Sequence, residues 1–173
     1  MALKASTCPL ASDVLQGYME VIMLSDVYNK RILELAANLP RIGRLPEPDA
    51  TAVAHSRLCG SKVTVDICMD GDRVSDFAHD VKACALGQAS ASIMARNVVG
   101  STAAELREVR DIARRLLKEA GEPPAGKWAD LAVLLPVRDY KARHASTLLT
   151  FDAVVDAVSQ IEARRASASM AAE

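Results

Sequence analysis

An α+β domain, with a small antiparallel sheet of about three strands packed against several helices, is the fold this sequence predicts, and three observations carry that prediction. Val63, Val65, Ile67 and Met69 alternate with Thr64, Asp66 and Cys68 at the period of a strand. Asp70-Gly71 follows at once as a hairpin turn, because glycine accepts the positive φ that a two-residue connection needs. Apolar residues on either side of the hairpin recur at helical spacing, and an isolated small sheet needs helices to bury one of its faces.

Each element can be justified in turn. From about residue 13 to residue 38, Val21, Ile22, Val27, Ile32, Leu33, Leu35 and Ala36 trace one long helix or two short ones, which Pro40 stops. Gly43, Pro46, Pro48 and Asp49 mark a loop. Residues 51–57 supply a third strand beside the strand of residues 62–69 and its return over 73–82, where Phe77, His79 and Val81 share a face. Residues 84–99, rich in Ala and Ser, predict a helix that approaches the sheet closely. Thr102 and Glu105 have the spacing of a capping box, and Leu106, Val109, Ile112, Ala113, Leu116 and Leu117 then form an apolar stripe ending near Gly121. Beyond Pro123-Pro124 and a short apolar segment over 131–135, a last helix carries Phe151, Val154, Val155, Val158 and Ile161. Residues 1–13 read as a frayed N-terminal tail and 163–173 as a disordered C-terminal tail, leaving 14–162 as the domain; 173 residues suit one core.

Composition removes several classes of function. A formal net charge of −1 gives no concentrated basic surface for phosphates, so no nucleic-acid partner is expected. No apolar run reaches the roughly 20 residues that span a bilayer, and residues 1–16 lack a signal peptide's regions, so a cytoplasmic protein without a membrane partner is expected. Neither a GxSxG elbow, an HExxH pair, a phosphate loop nor a Rossmann fingerprint occurs, which argues against an enzyme.

What remains is thiol chemistry. Cys8, Cys59, Cys68 and Cys84 form no CxxC pair, and a reducing compartment keeps them as thiols. Cys59 lies on a loop just before Gly60, whose freedom lets the backbone approach a ligand. Cys84 stands where a strand ends and a helix begins, and a helix N-terminus favours the thiolate. If the hairpin returns Cys84 to the start of the strand that follows Cys59, both sulfurs reach one sheet edge; packing of two buried thiols is the competing reading. Cys68 and Cys8 receive no role. His55 and His79 read as structural, whereas His144 opens a helix beside a basic loop, and neutral imidazole is a common metal ligand.

These residues, in their order, resemble the U-type iron–sulfur cluster scaffold family, the NifU-like N-terminal domains. The run DVYNKRILELAANLPRIGRLPEPDATAVAHSRLCGSKVTVDI is similar to the family's opening, in which a helix, a Pro-containing loop and an acidic stretch lead to Cys-Gly-Asp and a strand; here the tripeptide is Cys59-Gly60-Ser61. DFAHDVKACALGQASASIMA resembles the second site, a Gly-Cys-Ala turn before a Ser- and Ala-rich helix, with Ala83 at the glycine and Cys84 at the cysteine. The resemblance spans roughly Tyr18 to Ile161. It implies a SufE/NifU-like fold, and a non-enzymatic scaffold or carrier that holds iron, a [2Fe–2S] cluster or, alternatively, zinc. Its implied partners are a cysteine desulfurase and recipient apo-proteins.

The chain departs from the family pattern of three cysteines and an aspartate. Ser61 replaces the aspartate, and the third cysteine is absent from RDYKARHASTLLTFDAV. An ungapped alignment puts Ser146 at that position, and a small shift offers His144 instead. Cys59, Cys84 and His144 are thus the expected metal ligands, with Ser146 as the alternative to His144. Three ligands suit a labile cluster finished by an exogenous thiol, a zinc site open to a sulfur donor, or a site that binds nothing. A metal-free interaction protein and a thiol sulfur-relay protein are the rival functions.

Overall fold

The computed structural model describes residues 29–171. Its elements run α1 (Lys30–Ala37), β1 (Ala50–His55), β2 (Lys62–Asp70), β3 (Arg73–Lys82), α2 (Ala85–Asn97), α3 (Ala103–Lys118), a 3₁₀ segment (Gly126–Asp139) and α4 (Lys141–Met170). The strands form one antiparallel sheet in the order β1-β2-β3. The expected α+β architecture of three strands and several helices is therefore present. Val21, Ile22, Val27 and Cys8 lie outside the described residues, and α1 is the part of the first predicted helix within them.

Side chains paired across an antiparallel ladder project to the same face. The register aligns Ala50, Ala52 and Ala54 of β1 with Ile67, Val65 and Val63 of β2, and these with Phe77, His79 and Val81 of β3. That face is the core. Its alanines leave room for α4, which lies across β1 and β2. The sequence places the Ala- and Ser-rich α2 against the sheet; instead it packs mainly on α1 and α4, with nearly every side chain from Leu86 to Ala95 buried. Small residues here allow helices, more than strands, to come close.

The opposite face is not left to solvent. Asp66, in the centre of β2, is 0% exposed. It receives Arg44 Nε at 2.6 Å and Nη2 at 3.0 Å, the Leu45 N–H at 3.0 Å and the Thr51 hydroxyl at 2.6 Å. The loop before β1 is thereby drawn over the sheet, and β2 is buried on both faces rather than on one. A buried carboxylate is tolerated because its lone pairs are filled by donors, one of them charged.

Two ends of the hairpin differ from expectation in detail. Asp70 pairs with Arg73, so Gly71 and Asp72 form the turn, one position later than the Asp-Gly step suggests; Gly71 takes the positive φ of 59°. A bulge at Cys68/Met69 precedes the turn. The predicted capping box is formed, with Thr102 Oγ1 accepting from the Glu105 N–H at 3.1 Å. The Glu105 carboxylate also accepts from Trp128 Nε1 at 2.7 Å and pairs with Lys127 at 2.8 Å, which fastens the 3₁₀ segment to α3. The last helix continues to Met170, where the sequence suggests a tail from residue 163; Arg164 reaches the carbonyl of Asp49, and Arg165 those of Gly71 and Met69.

Burial pushes the Asp66 carboxyl upward, but hydrogen bonds from Arg44, Thr51 and Leu45 outweigh it and hold its pKa below the ordinary value. A folded-state pKa lower than the unfolded one adds stability above the unfolded value, about 3.9, and that stability is lost as pH falls through the folded value. Asp66→Ala is expected to cost about 2–4 kcal/mol in urea unfolding at neutral pH. In Asp66→Asn, the acid limb of the stability curve should flatten; an unchanged limb would mean that this carboxylate is not coupled to folding.

Candidate functional site

The rung His55↔Lys62↔Lys82 closes one end of the sheet, and both candidate thiols lie just past it. Residues 56–61 link β1 to β2. The Ser56 N–H donates to the Ser61 carbonyl at 2.8 Å and the Gly60 N–H to the Ser56 carbonyl at 2.9 Å, which folds the loop back on itself. Gly60 has φ 70°, a conformation that a side chain would oppose. The loop turns the Cys59 sulfur inward to 3.4 Å from Ser56 Oγ and 3.1 Å from Ser61 Oγ, although the residue as a whole is exposed.

Cys84 is the N-cap of α2 and makes no side-chain cap bond of its own. Its sulfur lies 3.6 Å from Ser146 Oγ in the second turn of α4. Gly87 explains how α4 comes so near: a Cβ there would stand 2.8 Å from the Ala83 Cβ and 3.2 Å from the Ser146 carbonyl oxygen. The glycine permits a close helix crossing at the site and sits inside α2 without breaking it.

Ser146 is the neighbour of Cys84 across the helix crossing. It touches Cys84 and also helps to stabilise the Cys59 thiolate. Cys59 with Ser61, and Cys84 with Ser146, thus lie past the same end of the sheet, and of the two α4 residues considered in the sequence it is Ser146 whose hydroxyl approaches a cysteine sulfur. His144 is 8% exposed, with Nε2 3.1 Å from the Val137 carbonyl and 2.9 Å from that of Arg138. That nitrogen is committed to the end of the 3₁₀ segment. Among the described residues no three His, Cys, Asp or Glu side chains converge as a metal-holding group, so the expected trio of Cys59, Cys84 and His144 is not assembled here. Cys68 lies near the far end of β2, roughly 20 Å along the strand from the thiols. His79 is in the core, with Nε2 2.9 Å from the Pro40 carbonyl.

The electrostatics favour ionisation at Cys59. Hydrogen bonds from Ser56 and then Ser61 lower its pKa, burial opposes them, and the Ser61 N–H and Ser146 add to the lowering; the result is a pKa of about 7. Hydroxyls stabilise the thiolate by donating to sulfur. Ser56 was not apparent as part of the site from sequence, although its position three residues before the cysteine in a loop with a positive-φ glycine was a usable signal. As ligands, two thiolates are strong donors and the three neutral hydroxyls weak ones, so the donor set suits two strong bonds to a thiophilic metal and leaves the remaining positions weakly held.

Fold and site together define a small α+β domain that presents two thiols and three serine hydroxyls at one end of a three-stranded sheet. The profile described as NifU-like N terminal domain matches residues 27–147, and the chain belongs to that family. It is 25% identical over 138 residues to the iron–sulfur cluster assembly scaffold protein IscU of Thermotoga maritima, covering 78% of this chain and 94% of the relative. It is 22% identical over 140 residues to the IscU of Streptococcus pyogenes, covering 81% and 87%. The crystal structure of a nitrogen-fixing NifU-like protein (N-terminal) from Brucella abortus superposes with a TM-score of 0.79 at 65% identity, covering 81% of this chain and 97% of that one. Among the described residues no helix is long and apolar enough to cross a membrane.

The rate of Cys59 alkylation by iodoacetamide, measured in Cys8→Ser/Cys68→Ser/Cys84→Ser protein, should rise with pH around a midpoint near 7. Ser56→Ala and Ser61→Ala should each move the midpoint up toward the ordinary value of about 8.5. A wild-type midpoint already there would refute the hydroxyl contribution. Gly87→Ala should destabilise the fold by about 1–3 kcal/mol, because α2 and α4 must separate to admit the methyl group. A melting curve superimposable on that of the wild type would show that the crossing is not tight.

Proposed function

We propose that this chain is a scaffold or carrier protein in iron–sulfur cluster assembly, holding iron or a [2Fe–2S] cluster as cargo on the Cys59 and Cys84 thiolates. The observation that supports this reading most directly is that both cysteines lie past the same end of the sheet, Cys59 Sγ 3.1 Å from Ser61 Oγ and Cys84 Sγ 3.6 Å from Ser146 Oγ. Cluster iron is normally held by four protein thiolates, so two of them hold it loosely, which suits cargo meant to be passed on. Ser61 and Ser146 stand beside the thiols as weak donors, and external ligands complete the set. Zinc is the alternative metal, with the same shortage of strong donors.

The reading carries partners with it: a cysteine desulfurase as sulfur source and apo-proteins as recipients, in a cytoplasm that keeps the thiols reduced. Cys59 is the favoured sulfur acceptor, since an exposed thiol with a pKa of about 7 is substantially ionised at neutral pH. The same observation favours a second reading, a metal-free sulfur relay through Cys59. The role in either case is to hold and deliver, not to catalyse.

Anaerobic reconstitution with iron and sulfide, followed by elemental analysis and visible absorption, separates these readings. A carrier gives near-stoichiometric iron and charge-transfer bands that fall at least tenfold in Cys59→Ser and Cys84→Ser. Ser146→Cys should slow cluster loss to a chelator by about tenfold or more, since it adds a third thiolate. Folded wild-type protein without iron or zinc after reconstitution would overturn the carrier reading. A persulfide on Cys59 after incubation with a desulfurase would then support the relay.

A further inference from the structure

Two thiolates leave two positions on the cargo for other ligands, and a cavity lies beside Cys59, joined to it through Ser56, whose Oγ is 3.4 Å from the Cys59 sulfur. It has a volume of about 420 Å³ and is walled on one side by Ser56, the neighbour of the Cys59 sulfur, and by Ala145, next in sequence to Ser146. Lys118 and Lys141 contribute to the lining as well. The volume falls in the range of small-molecule pockets, roughly 300–1,000 Å³.

The cavity's charge is unbalanced. Its acidic residue, Asp152, is paired with Arg114 at 2.8 Å. Among the described residues Lys118 and Lys141 enter none of the ion pairs. His55 and His144 add no negative charge. A second cavity, of about 530 Å³, shares Lys118, Lys141 and His144; its acidic residues are Glu119 and Asp139. Lys141 is also the first residue of α4, where the helix dipole disfavours a cation, and no acidic side chain in that turn offsets it.

We infer that the cavity beside Ser56 seats a low-molecular-weight thiol bearing carboxylates, which pair with Lys118 and Lys141 while its sulfur takes one of the open positions on the cargo. This rests on the carrier reading. The step is a ligand exchange: the incoming thiol gives up its proton to solvent, its sulfur bonds to iron, and a weakly held hydroxyl or water leaves with its electron pair. No atom changes oxidation state. Charge selects the ligand, because an uncharged thiol brings the same sulfur without the lysine contacts.

The test has two arms. Metal-free protein titrated with S-methylglutathione, followed by ¹H–¹⁵N NMR, should show saturable shifts at Ser56, Lys118 and Lys141 that are absent in Lys118→Ala/Lys141→Ala. Both lysines are exposed, so the variant is expected to fold, with a melting temperature close to that of the wild type, because the helix dipole disfavours Lys141 at the start of α4 and favours Lys118 at the end of α3. Reconstitution with glutathione should reach half occupancy at about five- to tenfold lower thiol concentration than with its diester, and the double variant should abolish the difference. Equal potency of acid and ester in the wild type, or amides that do not respond, would overturn the inference. Failure of cluster formation with both thiols, in protein whose amides still respond, would overturn the carrier reading and leave the cavity as a carboxylate site.

Discussion

Lys62 pairs with His55 on one side and with Lys82 on the other, and everything at the thiol end of the molecule hangs from that rung. A strand shifted by one residue turns its whole apolar set outward, so burial of Val63, Val65 and Ile67 admits a single register. Once that register is set, the loop bearing Cys59 and the strand exit bearing Cys84 must emerge at the same end. The buried Asp66 reinforces the choice from the other face, because a slip would take a carboxylate away from Arg44 and Thr51 and into hydrocarbon. Hydrophobic and polar contacts thus converge on one alignment.

The helices complete what the sheet begins. Cys84 would cap α2 in any arrangement, but Ser146 reaches it because Gly87 lets α4 press in, and because alanines along β1 make the sheet shallow beneath that helix. The two serines then act on the thiols in different ways. Ser61 is held by the loop and serves the Cys59 sulfur alone. Ser146 has one hydroxyl hydrogen and more than one claim on it, since its oxygen is 3.0 Å from the Arg143 carbonyl and 3.6 Å from the Cys84 sulfur. Where the family pattern has charged or soft ligands, this chain has hydroxyls, which modulate sulfur more readily than they bind metal.

Much of this was legible in the residues. The period-two run, the glycine in the turn and the Thr102–Glu105 cap are local signals, and each corresponds to an observed element. The joint location of the two cysteines was legible as a conditional, needing only the hairpin. Less was visible where the physics is not local. Asp66 looks like a solvent-facing position until the loop of residues 38–49 is known to cover it. Gly87 reads as a weak helix residue until its neighbour across the interface is known. The choice between His144 and Ser146 could not be made from spacing, since a two-residue difference on a helix points side chains about 200° apart and only the packed helix reveals which one faces sulfur. The helix beyond residue 163 is too polar to show a stripe; its anchors are carbonyls, which have no signature in sequence.

Those anchors give α4 a mechanical character. Its early turns are wedged at Ser146 against α2, and Arg164 and Arg165 clamp its other end to Asp49, Met69 and Gly71, about 28 Å away along the axis. A rod fastened at both ends cannot swing or slide as a unit without breaking one set of fastenings. Movement at the thiol end therefore falls to the short loop around Gly60 more than to the helix across from it.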